Sequence, residues 1–378
     1  MKIVIAIDSF KGCLSSKEAG IAVKEGIKRV YTDADIIVRP IADGGEGTVD
    51  AVISALNGEI KTVKVHDPLC RPIMAQYGIA NDTAFIEMAV ASGITLIAPE
   101  ERNPLNTTTY GTGELIKDAI DQGVRNFVIG IGGSATNDGG IGMLSAFGFE
   151  FLDNNGNTVP FGAKGLEGVS KICANNAIKE LNECTFKVAC DVKNPLCGEN
   201  GCSAVFGPQK GATADMIERM DSWLATYAKL TKEIIPSADP NFPGAGAAGG
   251  LGFAFLSYLG ATLTLGIDLI IEATKLEEEI KSADIVITGE GRLDSQSCMG
   301  KAPVGVAKLA KKYNKPVIAF AGAVTPDASI CNEHGIDAFF PAIRKPCTLE
   351  EAMAPKNAKS NLTDTAEQVF RIINTINK

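Results

Sequence analysis

Histidine is nearly absent: His66 and His334 are the only two in 378 residues. Zinc sites and histidine-centred triads are poorly supported on that count, so proton transfer falls to carboxylates or lysine. The 10 cysteines are scattered, and none forms a Cys-x-x-Cys pair. Thiols spread through apolar segments read as small buried hydrophobes of a reducing compartment. No apolar run approaches the roughly 20 residues that span a bilayer. The stretch Met1–Asp8 is too short and too soon interrupted for a signal peptide. No Lys/Arg cluster stands out, and the net charge of −9 argues against nucleic-acid binding. Internal repeats, low-complexity tracts and long linkers are also missing. These absences predict a soluble, cytoplasmic protein, monomer or homodimer, whose partners are small molecules rather than membranes or nucleic acids.

What is present is an ample apolar fraction, 45%, and a length that suggests two domains. Ile3 to Ile7 reads as a buried strand ending at Asp8-Ser9-Phe10-Lys11-Gly12. A capping box, Ser15-Ser-Lys-Glu18, then opens a helix with Ala19, Ala22, Val23 and Ile27 on one face. A second strand, Ile36–Val38, leads to Ala42-Asp43-Gly-Gly-Glu46-Gly-Thr48 and another helix. From Glu59 the grammar changes to an antiparallel meander with turns at Asp67-Pro68 and Asn81-Asp82. Parallel grammar returns at Asp284, with a strand to Thr288, a polar loop Gly289–Asp294, further strands, and a closing amphipathic helix carrying Leu362, Ala366, Val369 and Phe370. The expected fold is therefore α/β: residues 1–58 plus 284–378 form an open parallel sheet domain, and residues 59–283 form an inserted mixed α/β domain.

The stretch with most chemistry in it is Phe127 to Gly140. A short apolar run breaks into Gly132, Gly133, Ser134, Thr136, Asn137, Asp138, Gly139 and Gly140, and a helix follows. A glycine-rich turn between strand and helix presents backbone N–H groups and a positive dipole end, which suits phosphate. A bare tight turn would need glycine only for positive φ and would not call for the interleaved polar side chains. Other polar loops end other strands: Asp8-Ser9-Lys11, Asp43 to Glu46, Asp191-Val-Lys193-Asn194, and Gly289-Glu290-Gly291-Arg292-Asp294, with Lys301 nearby in sequence. Carboxylates, lysines and glycine-lined donors together are what phosphoryl transfer needs. Two commoner nucleotide signatures fail. Gly244-x-Gly-x-x-Gly249 follows the proline-bearing stretch Pro236–Pro243 instead of a strand, and Gly300-Lys301 is followed by Ala302, so no Walker A loop exists.

Taken in order, Asp8-Ser-Phe-Lys-Gly12, Ala42–Thr48, Gly132–Gly140, Cys190-Asp-Val-Lys-Asn-Pro-Leu196, Phe206-Gly-Pro-Gln-Lys-Gly211, Gly244–Gly252 and Ile287–Asp294 resemble the signature segments of the bacterial type I glycerate kinases. The resemblance runs from about residue 3 to 322. It implies a flavodoxin-like domain and a second domain likened to restriction endonucleases. It also implies ATP- and Mg²⁺-dependent phosphorylation of D-glycerate, most naturally at the 2-hydroxyl, within glyoxylate or sugar-acid breakdown.

Residue type and loop position then suggest roles, with glycerate and the ATP phosphates expected to meet in a cleft between the domains. Asp191 is the first choice for the base on the glycerate hydroxyl, and Asp8 joins it as a catalytic candidate. Lys11 and Lys301 offset charge on the migrating group. Asp43 and Asp294 are the Mg²⁺ candidates. Arg292, Arg71, Ser9 and Asn194 are substrate-binding candidates, and Gly132, Gly133, Ser134, Thr136, Asn137, Asp138, Gly139, Gly289, Glu290 and Gly291 are candidates for phosphate or nucleotide. Three alternatives stay open at this level: 3-phosphoglycerate as product, a nicotinamide-dependent oxidoreductase using Gly244–Gly249, and a small-acid-binding protein without catalysis.

Overall fold

The computed structural model describes residues 1–298 and 300–376. Met299, inside the segment Cys298 to Lys301, lies outside the described residues. The strands in chain order are β1 (Lys2–Ile5), β2 (Asp35–Val38), β3 (Glu59–His66), β4 (Pro72–Ala80), β5 (Thr83–Glu87), β6 (Asn126–Gly130), β7 (Glu150–Leu152), β8 (Lys171–Cys173), β9 (Thr185–Ala189), β10 (Thr262–Thr264), β11 (Ile285–Leu293), β12 (Val317–Val324) and β13 (Ala338–Pro341). They fall into two compact units. One comprises Met1–Asp43, Asp50–Asn57 and the chain from Leu265 onward; the other comprises Gly44–Val49 and Gly58–Thr264. Among the described residues, no helix is long and apolar enough to cross a membrane.

The first unit is a five-stranded sheet in the order β13-β12-β11-β1-β2. All four pairings are parallel. Renumbered within the unit, this is the order 2-1-3-4-5 of flavodoxin-like sheets. Parallel strands need crossover connections, so both faces are covered and the strands read as apolar runs. Ile3, Val4 and Ile5 are accordingly fully buried. The helix Ser16–Lys28 begins at the expected capping box: Ser15 Oγ accepts from the Glu18 N–H, and Glu18 Oε2 accepts from the Ser15 N–H at 2.9 Å. Its buried face, Ala19, Ala22, Val23 and Ile27, packs with Leu362, Ala366, Val369 and Phe370 of the helix Pro355–Ile376.

Two local features differ from the sequence reading. The chain rejoins this unit at Leu265, earlier than residue 284. The helices Gly266–Thr274 and Leu276–Lys281 contact the helix Ala302–Lys312, closely enough that a Cβ on Gly305 would lie 2.5 Å from Ile267. The second difference is that Gly289–Arg292 is strand and not loop. Pairing of β11 with β12 continues through Glu290↔Ala321 and Arg292↔Ala323 to Leu293↔Val324, because β12 runs on beside it to Val324. Gly289 tolerates this register only as glycine: a Cβ there would stand 1.8 Å from the Phe320 carbonyl oxygen.

The second unit holds a six-stranded sheet, β10-β9-β6-β5-β4-β3. Strands β3, β4 and β5 are antiparallel, whereas β5, β6, β9 and β10 are parallel. The β4–β5 hairpin turns through Asn81 and Asp82, both with positive φ (47° and 60°), as a two-residue hairpin of matching twist requires. Phe127 and Phe186 stack across β6 and β9 with centroids 4.9 Å apart. The run Gly244–Gly252 is preceded by turns, with no strand before it, and the helix Ala247–Leu259 carries left-handed φ at Ala248, Gly249 and Gly250. A strand-led dinucleotide fingerprint is thus missing. Gly249 instead lies against the Phe127–Gly140 turn: its carbonyl accepts from the Gly139 N–H at 2.9 Å, and a Cβ on it would lie 2.1 Å from the Thr136 oxygen.

Candidate active site

The strands β1 and β11 are neighbours whose crossovers leave in opposite directions, and at such a switch point an open sheet leaves a crevice beyond its carboxyl ends. A cavity of ≈ 370 Å³ opens there in the first unit, and Asp8, Ser9, Lys11, Asp43, Glu290, Gly291, Arg292, Asp294 and Lys301 line one part of it. The period-2 alternation of β11 puts Glu290 and Arg292 on one face. Nine of the sequence-derived candidates are thereby collected in one place. Gly289, one residue away, packs on the Phe320 carbonyl and does not line the cavity.

The carboxylates dominate the electrostatics of this polar part. Asp8 is 4% exposed, and its Oδ1 accepts from the Ser9 N–H at 2.6 Å. Burial first, then the neighbouring charge of Asp43, pushes its pKa up to about 7, with the Ser9 N–H and Lys11 acting in the opposite sense. Burial also raises Glu290, although Ser297 Oγ donates to its Oε1 at 2.5 Å and Lys301 Nζ stands 3.6 Å from Oε2. Asp294 lies 3.3 Å from Arg292 Nε and 4.0 Å from Lys301 Nζ. Crowded acids that raise one another's pKa are what a bound cation would relieve. The donor set therefore fits a divalent ion. Among the described residues no three His, Cys, Asp or Glu groups form a ready cage. Mg²⁺ needs none, since it binds through one or two carboxylates, water and substrate phosphates.

The same cavity also has an apolar lining. Phe10, Ile343, Leu349, Ala352, Met353 and Ala358 form it, with Asn361 as a polar group. Residues 343–361 were missed by sequence reasoning, because Ile343, Leu349 and Met353 are isolated apolar residues in a mostly polar, exposed stretch that carries no motif.

The second unit has its own cavity, of ≈ 340 Å³, lined among others by Gly132, Gly133, Ser134, Asp191, Gln209 and Lys210. Only the first half of the glycine-rich turn faces it. Thr136, Asn137 and Asp138 are fully buried and do not line the cavity, which corrects their reading as phosphate ligands. Asn137 Nδ2 donates to Ser203 Oγ at 2.9 Å. The Asp138 carboxylate accepts from the Thr109 N–H at 2.8 Å, from Thr109 Oγ1 at 2.9 Å, and from the N–H groups of Gly140 and Gly142 at 3.1 and 3.3 Å. The group at the start of the six-residue helix Ile141–Ala146 is therefore the chain's own carboxyl, whose pKa burial raises and these donors lower. Gly139 serves the contact with Gly249 described above.

Two substrate-binding candidates are also committed elsewhere. Arg71 Nε donates to Asp67 Oδ2 at 2.6 Å and Nη1 to Glu101 at 3.0 Å, fastening the turn between β3 and β4. Asn194 Nδ2 donates to the Asn200 carbonyl at 2.8 Å. Neither lines either cavity. Lys210 is the converse case, a cavity residue without an assigned role in the sequence reading. Its only signal there is its place in Phe206-Gly-Pro-Gln-Lys-Gly211.

Residues 3–374 match the model of the Glycerate kinase family. The chain belongs to the glycerate kinase family. It is 47% identical over 375 residues to the glycerate kinase of Haemophilus influenzae, covering 99% of each chain. It is 49% identical over 354 residues to the glycerate 2-kinase of Escherichia coli, covering 93% of each. The crystal structure of a Salmonella typhimurium LT2 protein described as a glycerate kinase 2 superposes with a TM-score of 0.91 at 48% identity, covering 100% of this chain and 99% of that one. This glycerate kinase is accordingly an enzyme, a phosphotransferase, and the reading as a small-acid-binding protein without catalysis falls away.

Proposed function

We propose that this glycerate kinase transfers the γ-phosphoryl group of ATP to the 2-hydroxyl of D-glycerate in the cytoplasm, giving 2-phosphoglycerate and ADP. The observation that carries the ATP reading is the mixed lining of the first unit's cavity, charged and apolar together. Glycerate has three carbons, all bearing oxygen, and gives an apolar wall of Phe10, Leu349 and Met353 nothing to hold. A nucleotide supplies both kinds of partner: its base suits the apolar lining, and its polyphosphate suits Lys11, Arg292 and Lys301. Asp43 and Asp294 would hold Mg²⁺, which when bound screens the charge between phosphate oxygens. Lys11 and Lys301 keep the leaving polyphosphate neutralised and oriented. Asp191, exposed at the rim of the second unit's cavity, takes the proton of the glycerate hydroxyl.

The test is D-glycerate-dependent release of ADP from ATP and Mg²⁺, for the natural chain and for Asp191→Asn. Turnover should fall roughly 10²–10⁴-fold in the variant with KM nearly unchanged. Near-normal turnover would remove Asp191 from the mechanism, and no glycerate-dependent ADP release by the natural chain would refute the reading as a whole.

A further inference from the structure

Lys210 ends the short turn Pro208–Lys210, is 2% exposed, and lines the cavity of the second unit beside Gly132, Gly133 and Ser134. Its ammonium donates to the Thr136 carbonyl at 2.6 Å. Among the described residues no carboxylate pairs with it; the titratable groups acting on it are the Cys202 thiol and Asp138. Burial raises that thiol to about 11, so it is neutral near pH 7, and the Asp138 carboxyl is already engaged by the Thr109 and Gly140 donors. An ammonium out of water needs more than one carbonyl, because desolvation of a full charge exceeds what a single neutral acceptor returns. The positive charge is thus kept at the floor of a cavity whose wall is a glycine turn bearing backbone donors and the Ser134 hydroxyl.

We propose that Lys210 is the charge centre of an oxyanion site in this cavity, completed by the Gly132–Ser134 turn. Its ligand is the glycerate carboxylate or the phosphoryl oxygens in transfer, two sources of one chemistry. The inference rests on the kinase reading for its substrate, while the anion site itself can be tested without turnover. Burial lowers the Lys210 pKa to about 8, so the site is charged at neutral pH and loses its charge in mildly alkaline solution.

The experiment compares the thermal midpoint of the natural chain and of Lys210→Met, in anion-poor buffer, with D-glycerate alone and with inorganic phosphate alone. The natural chain should gain several degrees with at least one of the two anions at pH 7, and the gain should shrink at pH 10. Lys210→Met should show no gain, and its KM for whichever substrate carries the recognised anion should rise roughly 100-fold. A rise confined to glycerate identifies the carboxylate, and one confined to ATP identifies the phosphate. An unchanged anion-induced gain in Lys210→Met, or a gain in the natural chain that is undiminished at pH 10, would overturn the proposal. The pH comparison uses the natural chain, so it stands even where the variant fails to fold. Anion binding through Lys210 without glycerate-dependent ADP release would instead refute the kinase reading and leave the site intact.

Discussion

At the scale of single residues, type alone does not separate a ligand from a fastening. Asp138 and Ser134 stand four positions apart in one polar, glycine-rich stretch, yet Ser134 lines a cavity and Asp138 is fully buried. The carboxylate of Asp138 holds donors of Thr109, Gly140 and Gly142, so Asp138→Asn leaves several buried N–H groups facing an amide N–H₂. That exchange should cost ~3 kcal/mol or more of stability. The check is denaturant unfolding alongside kinetics: a lowered midpoint with nearly unchanged KM values marks a fastening, whereas an unchanged midpoint with a raised KM for ATP would return Asp138 to the phosphate site. Lys210 carries the opposite signature. Its folded pKa, about 8, lies below that of an unfolded lysine. The folded state therefore binds fewer protons than the unfolded one between about 8 and 10.4, and stability rises with pH across that window. Arg71 and Asn194 show why such distinctions are hidden in a sequence: their partners, Asp67, Glu101 and Asn200, compete with any ligand, and only the fold brings them into reach.

Among elements, strands and helices were the legible part. Apolar runs and turn residues mark β1, β2, β11 and β12, and the capping box marks the start of the helix Ser16–Lys28. Glycines mislead more easily, since one residue serves φ, close packing and ligand approach alike. Gly289 reads as a loop residue but sits within β11, where a carbonyl lies too near for any Cβ. Gly249 reads as part of a dinucleotide fingerprint, but it is the place where two glycine-rich segments touch backbone to backbone. With φ at 69° and a Cβ position 2.1 Å from the Thr136 oxygen, Gly249→Ala should strain the turn below it. The expected loss is about 1–3 kcal/mol, read by thermal unfolding. Neither the natural chain nor Gly249→Ala should bind NADH; binding by the natural chain that is lost in Gly249→Ala would instead support the oxidoreductase alternative.

For the whole molecule, the family and the parallel sheet of the first unit were readable because long motifs and strand patterns are contiguous. The two cavities were not, because each is assembled from segments far apart in the chain: residues 8–13, 43, 290–301 and 322–361 for one, residues 94, 131–134, 189–210 and 247–248 for the other. No pattern in the sequence pairs Met353 with Phe10 or Lys210 with Gly132. The central claim is chemical, that the 2-hydroxyl of D-glycerate receives the phosphoryl group of ATP. Its most direct measurement incubates the enzyme with ATP, Mg²⁺ and D-glycerate and couples the product to enolase and pyruvate kinase with no mutase present. The account predicts immediate pyruvate formation proportional to enzyme. Signal that appears only after phosphoglycerate mutase is added would mean transfer to the 3-hydroxyl and would contradict it.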